Sequence, residues 1–367
     1  MNSWLEKIDN NTKNNGFLQS RLGWNKIFSH PIPKHANNAT YTLGGMLLVL
    51  GIVQGITGVI LQQFYHPHPV SPGAYEALIQ IVSRFDLSFV RNIHYWGAQF
   101  MIIITLLHMM RVFITGSYKK PREMQWLAGV GLLALSFAFT FTGTVLKWDQ
   151  EAIEALGHQV ELGNTIGAIG SFFTTQFAPS VPLLTRLYAS HVTVIPILTL
   201  PVLALHLALI RLLGLSSPKI LKQHEQQLRY LNTDHHSGSE PEQAKVLFSS
   251  HIKRMFVYGI AVTIIVIILS VILPAPLSMK GVEGIEITKP PWYLLWMFPL
   301  EDLFGLGVIP YASAIIIIGL AAVPLIDRKE VTEPAKRKAM IIGMLVLIAI
   351  FVGLMIAGAV TPVGEHL

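Results

Sequence analysis

Apolar residues along this chain fall into long unbroken runs divided by short polar stretches, a pattern unlike the alternation of half-buried strands or the stripe of a surface helix. Runs of about 20 residues match the hydrocarbon thickness of a bilayer. They predict seven spanning helices, at 40–64, 91–115, 125–146, 187–211, 255–273, 307–326 and 338–360. The fold class is therefore all-α: a polytopic membrane protein with a four-helix domain (40–212) followed by a three-helix C-terminal unit (255–367). Residues 1–39 are polar and lack the apolar core of a cleavable signal, so they read as a cytoplasmic segment in which 2–29 could form an amphipathic surface helix. Residues 213–254, rich in Gln, His, Asn and Ser, are too broken to span and read as a cytoplasmic linker.

Composition narrows the function classes. With 52% hydrophobic and 13% charged residues and a mean hydropathy of +0.52, the chain is no soluble enzyme, disordered scaffold or nucleic-acid module, despite a pI of 9.4 and a net charge of +6. The basic excess instead encodes topology. Of 27 Lys and Arg, 21 lie in one alternating set of loops, which places the N-terminus in the cytoplasm and the C-terminus (361–367) outside a bacterial-type cytoplasmic membrane. No cysteine is present, which excludes disulfides, thiolate-bound clusters and thioether-linked haem in this chain. Histidine, present 14 times, is left as the abundant metal ligand.

Four histidines stand inside apolar spans, where ionisable side chains are costly and usually functional. His94 and His108 are 14 apart in the second span, and His191 and His206 are 15 apart in the fourth. At about 100° per residue each pair shares a helix face, and at 1.5 Å per residue its members are separated by about 21–23 Å. Both helices run in the same direction, so His94 pairs in depth with His191 near the outer surface and His108 with His206 near the inner one. Two bis-histidine sites follow, each suited to a six-coordinate, non-covalent haem b engaged in electron transfer. The same stride recurs in Gly44 and Gly58 and in Gly129 and Gly143, where the lack of a side chain would admit a flat ring. Arg91 and Arg111 flank the histidines of the second span, where haem propionates would need cations. His66 and His68, and His235 and His236 in the linker, read more simply as polar loop residues than as a metal site.

With these residues, the run Arg91-Asn92-Ile93-His94, the stretches 116–123 and 184–191, Trp148-Asp149-Gln150 and Pro290-Pro291-Trp292-Tyr293, the chain resembles cytochrome b of the Rieske/cytochrome b complexes from Pro33 to Pro362. The 15-residue histidine step and the seven helices resemble a plastid-type cytochrome b fused to its subunit IV. The resemblance implies a redox enzyme subunit of a respiratory chain: quinol is oxidised at the outer face, in a pocket that would include Trp148, Pro291, Trp292 and Tyr293. One electron goes to a Rieske iron–sulfur protein and on to a cytochrome c-type or other acceptor subunit. The other crosses two haems to a quinone site near Arg211. It further implies a homodimer embedded in lipid and drawing on the quinone pool.

Three departures qualify the likeness. The family's motif has an acid that accepts a quinol proton where this chain has Pro291, which has neither a proton acceptor nor an N–H. That change points toward menaquinol, with Glu283, Glu286, Glu301, Asp302 and Asp149 as substitute acceptors. Lys147 replaces a proline before the Trp148 motif. Thr42 stands where the plastid branch tethers a third haem, so no such haem is covalently held here. Pro291 and Lys147 also leave room for a different machine, a di-haem membrane anchor wiring a dehydrogenase or reductase to the quinone pool without a Rieske partner. A non-redox transporter would need binding sites in broken midplane helices, and the matched histidines argue against it.

Overall fold

The computed structural model describes residues 31–33, 38–168, 170–214 and 245–363. The expected surface helix at 2–29, most of the expected linker with His235 and His236, and the last four residues lie outside the described residues.

Ten helices matter here: α1 (Leu43–Gln62), α2 (Ala74–Ser83), α3 (Phe85–Ile114), α4 (Glu123–Val145), α5 (Gln150–Thr165), α6 (Leu183–Leu213), α7 (Phe248–Ile272), α8 (Phe298–Phe304), α9 (Val308–Ile326) and α10 (Lys338–Val360). Seven of them, α1, α3, α4, α6, α7, α9 and α10, are long and apolar enough to cross a membrane. All seven coincide with the predicted spans. The predicted starts of α3, α6 and α7 fall late because their first turns are polar (Asp86 and Ser88, Thr185 and Arg186, Ser249 to Lys253), and a hydropathy average discounts such residues. Buried residues occur along most of α3 but in α10 only at Gly358, so α3 is a central helix, whereas α10 rests one face (Met340, Met344 and Phe351) on its neighbours and leaves the rest of its apolar side chains exposed.

Contacts divide the chain into two units. Of the described residues, one holds 31–33, 38–49 and 245–262. Within it, the short strands β1 (Pro31–Pro33) and β2 (Lys245–Leu247) pair antiparallel, and Gly45 and Gly259 lie where an added Cβ would meet Met255 and Val49, so the first turns of α1 pack closely against α7. The larger unit holds 50–214 and 263–367 and carries the candidate site. In it, α2, α5 and α8 cap alternate interhelical connections on one side. On the other side run the tight connections 115–122 and 327–337.

Polar side chains lock this unit where a purely apolar interface would slide. Asn92 Nδ2 donates to Ser270 O (3.0 Å) while its Oδ1 accepts from Ala275 N (3.0 Å), a two-way clamp between α3 and the end of α7. Buried Arg91 donates to Ala275 O (2.9 Å) and Pro276 O (2.7 Å), satisfying carbonyls that follow the helix. Gln54 reaches His94 O (3.0 Å) through the gap left by Gly97.

Candidate functional site

The four predicted histidines come together as two facing pairs. His94 on α3 and His191 on α6 have ring centroids 6.3 Å apart. His191 sits in a π-helical turn, Ser190–Val194, that interrupts α6, a distortion frequent at functional positions. His108 lies within electrostatic reach of His206 and Arg111.

Hydrogen bonds fix which ring nitrogen is available. Thr57 donates its hydroxyl to Val53 O (2.7 Å), so its 2.9 Å contact with His94 Nδ1 requires that Nδ1 carry the proton. Thr142 does the same for His191, donating to Ala138 O (2.7 Å) and accepting from Nδ1 at 2.9 Å. His206 Nδ1 lies 3.0 Å from Gln125 O, which only accepts. In these three rings the Nε2 lone pair is left for a metal, the usual arrangement of an oriented ligand. His108 Nδ1 is buried without a hydrogen-bond partner among the described residues.

These features fit a haem. Two metal–imidazole bonds of about 2 Å, each with about 1 Å from nitrogen to ring centre, give about 6 Å between ring centres across one iron. The glycines lie against the same rings: a Cβ on Gly58 would approach His94 Cε1 to 3.4 Å, on Gly143 His191 Cε1 to 3.2 Å, and on Gly129 His206 Cε1 to 3.6 Å. Gly44, the fourth of the set, lies in the first turn of α1. No group of three or more metal-binding side chains occurs among the described residues, so these pairs suit a cofactor that brings its remaining ligands with it.

Arg91 and Arg111 stand on α3, but the Arg91 guanidinium is engaged by the Ala275 and Pro276 carbonyls. Arg211 is exposed in the last turn of α6. Just past α4, whose Thr142 contacts His191, Trp148 adopts φ 52°, a left-handed conformation rare outside glycine, which turns the chain sharply from α4 into α5. Asp149 then caps α5 by accepting from Ala152 N (3.1 Å), and its other oxygen accepts from Ser278 N (2.9 Å). Lys147 is not a free cation: it pairs with Asp149 (3.3 Å) and with Glu151. Burial raises the Glu151 carboxyl above its ordinary range against the pull of Lys147.

Pro291 begins a short 3-10 turn, Trp292–Leu294. Trp292 Nε1 donates to Gln99 Oε1 on α3 (2.7 Å). Tyr293 is buried, with its ring 6.1 Å from Phe137, so Trp292 packs against α3 and Tyr293 against α4.

Sequence reasoning missed the polar stripe of α5. Gln150, Glu154 and His158, four residues apart and on one face, hold the segment leading to Pro291. Gln150 donates to Ile285 O (2.8 Å) and accepts from Val282 N (2.8 Å). Glu154 accepts from Ile287 N (2.9 Å) and from the N–H and hydroxyl of Thr288 (3.0 and 2.5 Å). His158 contacts Glu286 and Glu301. The i, i+4, i+8 spacing was a readable signal.

The chain matches the family described as cytochrome b(N-terminal)/b6/petB over residues 99–279 and that described as cytochrome b(C-terminal)/b6/petD over 282–366. Cytochrome b6 of Heliobacterium modesticaldum is 38% identical over 196 residues, 52% of this chain and 92% of that protein. The menaquinol:cytochrome c reductase cytochrome b subunit of Geobacillus thermodenitrificans is 32% identical over 207 residues, 53% of this chain and 92% of that protein. Among solved structures, a chain of a hyperthermophilic respiratory complex III has a TM-score of 0.77 at 19% identity, covering 97% of this chain and 92% of that one, a likeness of fold. With b6-like and subunit IV-like parts in a single polypeptide, the chain belongs to the cytochrome b family.

Proposed function

We propose that this chain is the di-haem cytochrome b subunit of a quinol oxidoreductase, oxidising menaquinol at the outer membrane face. Its partners are a Rieske iron–sulfur protein and a cytochrome c-type or other acceptor subunit, and it works as a homodimer in a bacterial cytoplasmic membrane with its N-terminus inside. The observation that carries this reading is the pair His94 and His191, whose Nε2 atoms are the ones left unprotonated and whose rings stand 6.3 Å apart. His94 and His191 would hold an outer haem b, and His108 and His206 an inner one. Bound there, the two haems supply one-electron carriers at two depths of the membrane. Glycines 58, 129 and 143 leave room beside the imidazoles, and Thr57, Thr142 and the Gln125 carbonyl orient them.

The quinol pocket would be bounded by Trp148, Pro291, Trp292 and Tyr293, and a second quinone would bind near Arg211 on the cytoplasmic side. Menaquinol is favoured by the named activity of the Geobacillus relative and by the loss of the usual acid at Pro291. The experiment is a count of haem per chain in the purified complex, with EPR of the oxidised iron. Two non-covalent haems per chain, both low-spin with two imidazole ligands, are expected. One haem, or a five-coordinate high-spin iron, would overturn the assignment.

A further inference from the structure

Three segments that are distant in sequence bring one histidine and two acids together beside the turn that carries Trp292 and Tyr293. His158 comes from α5, Glu286 from the loop held by Gln150 and Glu154, and Glu301 from the first turn of α8, the helix after that turn. His158 Nε2 lies 3.1 Å from Glu286 Oε1 and 3.2 Å from Glu301 Oε1. The side chains of Glu286 and Glu301 are 3% and 6% exposed, that of His158 22%. Glu301 Oε1 is buried, and His158 Nε2 is the polar side-chain atom that lies against it.

We propose that Glu301, Glu286 and His158 form the proton acceptor and proton exit for quinol oxidation that Pro291 cannot supply, an inference that rests on the functional reading above. His158 Nδ1 donates to Glu154 O (2.8 Å), so the ring keeps that proton and exchanges only the one at Nε2, the atom facing both acids. Burial alone would lower the affinity of His158 for a proton, but the contact with Glu301, the Glu154 carbonyl and the charge of Glu286 together raise its pKa to about 9. At neutral pH the cluster then sets an imidazolium between two acidic side chains, an arrangement that can take up one proton and pass another on. Exposure rises from the acids to the histidine, which gives the proton a direction out.

The other acids near the cluster are already committed or differently placed. The Glu154 carboxylate is filled by Ile287 and Thr288, Glu151 pairs with Lys147, and Glu283 is exposed in the same loop. No metal-binding group of three or more side chains is found among the described residues, so a cation site is not the better reading.

The balance is simple. Each quinol gives up two electrons, one to an iron–sulfur centre and one to a haem, and two protons. One quinol O–H breaks and its proton forms an O–H on the carboxyl of Glu301; His158 Nε2 then gives up the proton it holds to water outside and takes the one on Glu301 in its place, with Glu286 beside the imidazolium. The other proton goes to a basic group on the iron–sulfur partner.

The test is stopped-flow haem reduction by a soluble menaquinol analogue, in complexes purified from membranes with the inner quinone site inhibited. Glu301→Gln and Glu286→Gln are expected to slow it by about 100-fold at pH 7, with little change in the quinol concentration giving half-maximal rate and with an unchanged haem spectrum. Glu283→Gln should match the wild type. His158→Gln leaves two buried carboxylates side by side and should move the pH dependence of the rate upward. Wild-type rate and pH profile in both Glu→Gln variants overturn the proposal, and if Glu301→Gln does not assemble, Glu286→Gln decides by the same criterion. A wild-type complex that reduces no haem with the analogue contradicts the functional reading instead.

Discussion

Changing His191 to leucine is expected to remove one of the two haems and abolish electron entry from the outer quinol site. The expectation follows from the local design. Thr142 accepts the Nδ1 proton of His191 and so leaves Nε2 free to bind the proposed haem iron, a bond that leucine has no atom to replace. His94 would then be left opposite an apolar side chain, and a single imidazole does not hold the outer haem in the six-coordinate state. Haemochrome analysis should fall from two haems per chain to one, with the remaining signal that of the inner pair, and quinol-driven haem reduction should fall by at least about 100-fold, since the reaction loses its first transmembrane acceptor. His206→Leu should lose the inner haem and keep reduction of the outer one. Retention of both haems in His191→Leu would show that this imidazole is not a ligand.

The second large effect is on assembly. On the side of the tight connections, Asp327 accepts from Tyr118 (2.6 Å) and pairs with Lys119 (2.6 Å) and Arg337 (2.9 Å). Lys119 also donates to Asp327 O (3.1 Å), and Arg337 to the carbonyls of Phe113 (2.9 Å) and Ile114 (3.1 Å) at the end of α3. All three charged side chains are less than 9% exposed, so one carboxylate balances two buried cations. Asp327→Ala should strand both cations and cost about 3–5 kcal/mol, read as a large drop in the thermal midpoint of the complex. Burial alone would raise the pKa of Asp327, but Lys119, Tyr118 and Arg337 outweigh it and hold the carboxyl below its ordinary value. Its contribution is therefore complete above the ordinary carboxylate range and is lost as pH falls through the depressed value. Wild type should lose stability on acidification in a step that Asp327→Ala lacks. Equal melting of the two proteins across that range would show that the cluster does not carry this load.

The seven spans were legible because bilayer thickness sets their length, and their agreement with the helices owes nothing to fine detail. The histidine pairs were legible for a related reason: ionisable residues are conspicuous in apolar runs, and helical geometry fixes their faces and depths. Other features were set by tertiary contacts. Arg91 stood out for its place beside His94, but that its guanidinium also holds carbonyls more than 180 residues away in sequence could not be read locally. Likewise, Glu286 and Glu301 were named only as two acids among five, because nothing local announces that His158 will stand between them. The helix carrying His158 is short and amphipathic, so the hydropathy that reveals spans passes over it. Trp148 shows another limit, since no composition or spacing foretells a left-handed backbone at a tryptophan.

The central claim is that this cytochrome b divides the electrons of quinol between a Rieske partner and its own haem pair despite the proline at position 291. The most direct measurement follows haem b and the Rieske centre together, by optical and EPR spectroscopy, after menaquinol is added to the purified complex with the inner quinone site blocked. Haem reduction that requires an initially oxidised Rieske centre is the predicted result. Haem reduction that proceeds with the Rieske centre already reduced, or in its absence, would contradict the account and indicate a di-haem anchor that passes electrons without dividing them.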